Sequence, residues 1–195
     1  MTGVYTIGHS NHPLERFLDL LRAHDVTAIA DVRSHPYSRF HPQFGAKRLG
    51  ASLESAGIRY ELLGRELGAR SRDESCLVDG KVDYEQLART PPFEQGLARV
   101  AEAAARERVA LLCAERDPFD CHRAILVCRE LARRAIDSTH IREDGRLETR
   151  NELEARLLDA FGVDERDLFG DRAELLDAAY RRRGREIAYG PPRAR

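Results

Sequence analysis

The run Cys113-Ala-Glu115-Arg-Asp-Pro-Phe-Asp-Cys121-His122-Arg123 gathers two thiols, an imidazole, a carboxylate and a guanidinium in one short stretch. It follows the apolar, strand-like run Val109–Cys113 and leads into a helix, so Cys121, His122 and Arg123 fall in that helix's first turn. A helix N-terminus presents unpaired N–H groups and partial positive charge, and with a neighbouring arginine it draws a thiol below its ordinary pKa of about 8.5. Cys113 or Cys121 is therefore a candidate nucleophile or redox centre, with His122 or His9 as proton carrier and Glu115 as base or orienting group. Apolar burial acts in the opposite sense. The plain alternative is a packing residue at the strand end for Cys113 and in the helix for Cys121. Cys128, inside an apolar helix, and Cys76, in a polar loop, read as ordinary packing residues.

Two other runs carry polar groups at strand ends, Gly8-His9-Ser10-Asn11 and Asp31-Val-Arg33-Ser-His35-Pro36. Ser10, Asn11, Asp31, Arg33, Ser38, Arg39 and Arg123 are the candidate substrate-binding residues, a set suited to a phosphate-bearing or nucleotide-like anion. Ser34 and Tyr37 add hydroxyl donors. Against this, Asp31 and Arg33 fit a local ion pair, and His9 fits a turn histidine bonded to backbone. His35, His41 and His140 carry little signal singly, and Arg181-Arg182-Arg183 reads as a solvated helix face. The spacing is not that of a phosphatase C-x5-R loop, because Arg116 comes too soon and Arg123 too late after Cys113. A second reading is a zinc or iron site built from Cys113, Cys121 and His9 or His122, although the cysteine spacing is neither ribbon nor finger. A third is a non-catalytic module that binds nucleic acid or protein through the arginine-bearing loops. The residues assign no cofactor and no particular reaction.

The elements that must position these groups alternate between strand and helix. Val4–Ile7, Thr27–Val32, Ile58–Leu63, Val109–Cys113 and Ser138–Ile141 are short and β-rich. Leu14, Phe17, Leu18 and Leu21 mark an amphipathic helix, residues 46–56 a second that stops at Gly57, and Phe93, Leu97, Val100 and Ala104 a third. Thr90 and Asp120 stand where they can cap helices, and Thr149-x-x-Glu152 and Asp171-x-x-Glu174 open C-terminal helices at 150–161 and 171–185. The tail Tyr189–Arg195 is expected to fray. Residues 64–90 are polar, contain glycine and show no period, which marks a loop and candidate lid. The expected fold is α/β: a Rossmann-like parallel sheet with flanking helices over residues 1–145, extended by C-terminal helices in 146–195. In such sheets ligands bind beyond the carboxyl ends of the strands, so the three polar runs should share one edge.

Composition narrows the setting. With 195 residues, one domain is expected, and a formal net charge of −1 supplies no bulk attraction for polyanions. Hydrophobic residues make up 42% and charged residues 33%, too apolar for disorder and too polar for a membrane protein. The first residues lack the basic region and apolar core of a secretory signal, so a cytoplasmic protein is expected. Four cysteines without paired C-x-x-C spacing argue against a disulfide framework. Lys47 and Lys81 are the only lysines, so an isolated arginine here says less than usual.

The runs YTIGHSN (5–11), DVRSHPYSR (31–39), LESAGIRYELLGRELG (53–68) and CAERDPFDCHR (113–123), in that order, resemble domain-of-unknown-function family 488. The resemblance implies an α/β fold and a shared polar site, and carries no settled reaction. Two departures fall in the candidate lid. Ala69 stands where the family usually has a second glycine after Leu67-Gly68, and the family's Tyr-Met dipeptide is not evident around Tyr84.

Overall fold

A computed structural model of the chain describes residues 3–71, 73–162 and 171–190. The last part of the expected frayed tail, 191–195, lies outside these residues. In chain order the elements are β1 (Gly3–Gly8), α1 (Leu14–Ala23), β2 (Ala28–Asp31), α2 (Ala46–Ser55), β3 (Arg59–Leu62), α3 (Gly64–Leu67), β4 (Leu77–Val78), β5 (Lys81–Val82), α4 (Tyr84–Ala88), α5 (Pro91–Ala104), β6 (Val109–Cys113), α6 (Arg129–Ala132), β7 (Asp137–Ile141), β8 (Leu147–Thr149), α7 (Arg150–Ala160) and α8 (Arg172–Ile187). The main sheet runs β3-β2-β6-β1-β7-β8. Its first five strands are parallel, and β8 returns antiparallel to β7. The α/β architecture is the expected one, but the sheet is mixed. Gly145, at φ +92°, lets the chain turn back between Arg142 and Arg146, and a short edge strand follows.

Strand periodicity sends alternate side chains to opposite faces. Ile7, Ile29, Ala110 and Leu112 pack with Phe17, Leu21, Leu49 and Leu53 from α1 and α2. Val4, Ala28, Ala30, Val109 and Leu111 pack with Phe93, Leu97 and Leu131 from α5 and α6, and with Leu157, Ala179 and Tyr180 from α7 and α8. Residues 64–90, aperiodic in sequence, hold α3, α4 and the β4–β5 hairpin. Asp79 and Gly80 both take positive φ at its turn, the conformation an Asp-Gly pair favours. The segment buries Leu67, Cys76, Val82 and Leu87 in the same core as α5, so Cys76 is a core residue despite its polar neighbours.

Several local expectations change. Thr149 and Glu152 form the reciprocal capping box, and Asp171 caps the N–H of Ala173. Thr90 begins α5, but its hydroxyl donates to the Leu87 carbonyl. Asp120 caps nothing: Asp117 caps the preceding 3-10 turn, and Asp120 pairs with Arg183. Arg183 therefore leaves the expected solvated face and also stacks over Phe119. Cys121 is extended, and residues Arg123–Cys128 form a π-helical stretch that runs into α6. Among the described residues, no helix is long and apolar enough to cross a membrane.

One glycine fixes the join on which the polar edge rests. After β1 the N–H groups of His9 and Ser10 donate to the carbonyls of Cys113 and Ala114, which draws the two chain segments together. A Cβ on Gly8 would stand 1.9 Å from the Glu115 carbonyl oxygen. Gly8→Ala should therefore destabilise the protein by about 3 kcal/mol, while Gly3→Ala, with no contact nearer than 3.4 Å, should change little. Urea denaturation of the two variants checks this; equal midpoints would contradict it.

Candidate functional site

The carboxyl ends of β1, β2 and β6 lie at one edge of the sheet, and the loops that leave them wall a cavity of about 680 Å³. His9, Ser10 and Asn11 come from the first loop, Arg33, Ser34, His35, Tyr37 and Ser38 from the second, and Cys113, Glu115 and His122 from the third. Arg70 and Tyr84 from the 64–90 segment, with Ile187 and Tyr189 from the C-terminal end, complete the wall. Imidazole, guanidinium and sulfur thus meet at one opening. Asp31, Arg39, Cys121 and Arg123 do not line it: Arg39 is exposed outside, and the other three are buried behind the surface.

Each buried group has an assigned task. Asp31 receives Arg33 through two hydrogen bonds of 2.8 and 2.5 Å and the Tyr60 hydroxyl at 2.7 Å. Arg33 gives its remaining arm to the Phe44 carbonyl at 2.9 Å. The local ion pair weighed from sequence is therefore present, and it neutralises the charge that Arg33 brings to the cavity. His9 stacks on Phe44 with ring centroids 4.4 Å apart, and its Nδ1–H donates to the Ser10 carbonyl at 2.9 Å. Burial draws its pKa down to about 4, so at neutral pH it offers the cavity an uncharged ring with Nε2 as acceptor. Ser10 holds the turn with φ +46°, a left-handed conformation uncommon outside glycine. The Ser34 and Ser38 oxygens accept backbone N–H groups from Arg70 and His41, which leaves both hydroxyl protons free to donate.

Arg123 is completely buried. Its guanidinium donates to the carbonyls of Glu115 at 2.7 Å and Arg116 at 3.1 Å, and to Thr6 Oγ1 at 3.3 Å. No carboxylate lies within ion-pair distance of it among the described residues. Thr6 continues the chain of bonds to His140 Nδ1 at 2.8 Å. Arg123 thus pins the loop after β6 against β1 and β7.

The thiols lie against this cation. Cys113 Sγ is 3.7 Å from His122 Nδ1, and His122 Nε2 donates to the Val32 carbonyl at 3.0 Å. A carbonyl only accepts, so Nε2 carries a proton and Nδ1 faces the sulfur. Cys121 Sγ accepts the Arg123 backbone N–H at 3.5 Å and donates its thiol proton to Glu115 Oε2 at 3.0 Å. Burial pushes Cys113 well above the usual thiol range, and the neighbouring Cys121 and Glu115 charges add to the effect. Burial also opposes a charge on Cys121, but the hydrogen bond from Cys113, the Arg123 cation and the bond to His122 outweigh it and draw Cys121 down to about 6. His122 is raised although burial works against it, because Cys121 and Glu115 favour the imidazolium. Glu115 falls to about 2 despite burial, through hydrogen bonds from the two cysteines and the His122 charge. Glu115 is thus the ionised partner that accepts the Cys121 thiol proton, while Arg123 draws that thiol toward ionisation. Cys128, buried in the apolar helix, is pushed up to about 12 and is an ordinary packing thiol.

One ligand atom from each of Cys113, Glu115, Cys121 and His122 lies within 4.8 Å of the other three. Thiolate, imidazole and carboxylate form a zinc ligand set, and zinc bonds of 2.0–2.3 Å hold tetrahedral donors roughly 3.5 Å apart. His9, the other imidazole considered for such a site, is not in this group. Sequence reasoning missed Thr6, Arg70, Tyr84 and Tyr189. The Asp79-Gly80 turn before Tyr84 was the available signal for that hairpin; Thr6 and Tyr189 have none without the packing around them.

The protein is an α/β domain with a thiol, imidazole and carboxylate cluster at the carboxyl edge of its sheet. It belongs to the family described as Domain of unknown function DUF488, whose family model matches residues 13–129. That stretch contains Arg33 and the whole Cys113–Arg123 run, and leaves β1 with His9, β7, β8, α7 and α8 outside it. No curated protein and no solved structure matches the chain.

The neutral His9 ring makes stability depend on pH. Its folded pKa of about 4 lies below the unfolded value of 6.5, so its contribution is complete above pH 6.5 and lost as pH falls toward 4. The loss attributable to His9 is on the order of 3 kcal/mol. Urea unfolding of the wild type and of His9→Gln between these pH values should show a shallower slope for the variant; parallel curves would contradict the assignment.

Proposed function

We propose that the protein is a thiol-dependent enzyme acting on a small anionic, phosphate-bearing or nucleotide-like substrate. Cys113 is the nucleophile. The observation that carries this reading is the 3.7 Å approach of Cys113 Sγ to His122 Nδ1 at a cavity wall, with the far side of the ring held by Val32. The cavity volume suits a small ligand. The free hydroxyl protons of Ser34 and Ser38, with the Arg70 side chain, converge on it as donors for anionic oxygens. In the reaction a bond forms from Cys113 Sγ to the electrophilic centre of the substrate while the bond to the leaving group breaks. The thiol proton passes to the His122 Nδ1 that faces the sulfur and goes on to the leaving group, after which water takes the substrate fragment from Cys113 and restores the thiol. Glu115, bonded by Cys121, and Arg123, bonded to the loop carbonyls, orient the groups around His122, and His9 supplies a neutral acceptor.

A second reading rests on the four donor atoms within 4.8 Å: Cys113, Glu115, Cys121 and His122 hold a zinc ion, and Cys113 is a ligand. Alkylation with mass mapping separates the two. The enzyme reading expects Cys113 to be labelled ahead of Cys76 and Cys128, faster by anionic iodoacetate than by neutral iodoacetamide, and at least tenfold more slowly in His122→Asn. An inert Cys113 in native, metal-free protein overturns it. Stoichiometric zinc that protects Cys113 and disappears in Cys113→Ser establishes the metal site instead.

A further inference from the structure

The outer face of the β2–α2 loop is unlike the rest of the surface. Residues 32–53 contain four cations, Arg33, Arg39, Lys47 and Arg48, and no aspartate or glutamate. Most arginines elsewhere are tied to carboxylates, as in the Arg59–Glu107, Arg99–Glu61, Arg134–Glu94 and Arg156–Asp117 pairs. Arg39, Lys47, Arg48 and, across the groove, Arg65 are exposed, and among the described residues none has a carboxylate partner. Tyr37 and Phe40 in the same loop are 76% and 89% exposed and Leu62 at the second cavity is 46% exposed, three of the five large exposed hydrophobic side chains among the described residues. Nothing in the fold uses the two aromatic rings.

This face leads into the main cavity. A second cavity of about 620 Å³, lined by Leu62 and Arg65, shares Arg33, Ser34, His35 and Arg70 with the first. Together they make a continuous groove. Its wall holds three carboxylates: Glu66, paired with Arg99 at 3.0 Å, Asp120, paired with Arg183, and Glu115, which accepts from Cys121.

We propose that this groove and the β2–α2 loop beside it bind single-stranded nucleic acid, with bases stacked on Tyr37 and Phe40, phosphates on the unpaired cations, and one nucleotide entering the cavity at Cys113. The proposal rests on the reading of that cavity as a site for a nucleotide-like anion and names the larger molecule to which the nucleotide belongs. Exposed rings interleaved with unpaired cations suit unstacked bases on a charged backbone. A duplex hides its base faces, and an acidic peptide would use the cations but not the rings. Because the net charge is −1, attraction comes from the local patch alone.

The test is fluorescence anisotropy of a labelled oligothymidylate of about twelve nucleotides with the full chain, between about 50 and 200 mM salt. Contact with four phosphates predicts a slope of log K against log salt of about −3. Binding should persist in Cys113→Ser, weaken at least tenfold in Tyr37→Ala/Phe40→Ala, recover in Phe40→Tyr relative to Phe40→Ala, and show a shallower slope in Lys47→Glu. Bound oligonucleotide should also shield Cys113 from iodoacetate. The proposal is overturned by a slope near zero, by a duplex or a polyglutamate of equal charge binding as tightly, by indifference to loss of the two rings, or by binding that leaves Cys113 unshielded. Failure of the oligonucleotide to bind, with Cys113 still reacting preferentially with iodoacetate, removes the strand and leaves the small-substrate site standing. An inert Cys113 removes that site itself.

Discussion

A guanidinium sealed from water needs counter-charge or full hydrogen bonding, and Arg123 sits at the centre of this molecule under that constraint. Its bonds to two consecutive carbonyls of the loop after β6 determine where Glu115 and Arg116 run. Through Thr6 and His140 the same cation is tied to the middle strands of the sheet. The same cation lowers the pKa of Cys121, whose sulfur accepts the Arg123 backbone N–H. Structural demand and chemical activation therefore have one cause. The group that holds the loop in place also favours an ionised sulfur beside it.

Around that cation the charges are arranged in balanced pairs. Asp31 answers Arg33, and Glu115, held low in pKa, accepts the thiol proton of Cys121. The cavity thus gains rigid, oriented donors with little net charge, which favours recognition by hydrogen bonds over simple attraction. His9 fits the same pattern, since burial keeps it uncharged and its stacking on Phe44 fixes the ring.

Much of this edge was legible in the sequence because strand periodicity and the alternation with helices identify which loops emerge together. His9, Arg33 and Cys113 are far apart in the chain, yet the topology alone predicts that they meet. Distinctions within the edge were not legible. Whether Arg33 reaches a ligand or Asp31, and whether Arg123 faces the cavity or the interior, depends on side-chain direction, which spacing does not encode. The 64–90 segment was obscure for a different reason. Its buried residues, Leu67, Cys76, Val82 and Leu87, are spread over short elements, so neither a helical nor a strand period emerges. The antiparallel β8 is three residues long, two of them polar, and only Gly145 signals the reversal that creates it.

The end of the chain carries an architectural consequence. Tyr189 accepts the Val82 N–H through its carbonyl, and its ring meets the Arg70 guanidinium, so the last described residues are stitched onto the hairpin segment at the cavity mouth. A chain ending before Ile187 would keep Cys113, Cys121 and His122 on the elements that hold them but lose one wall of the chamber.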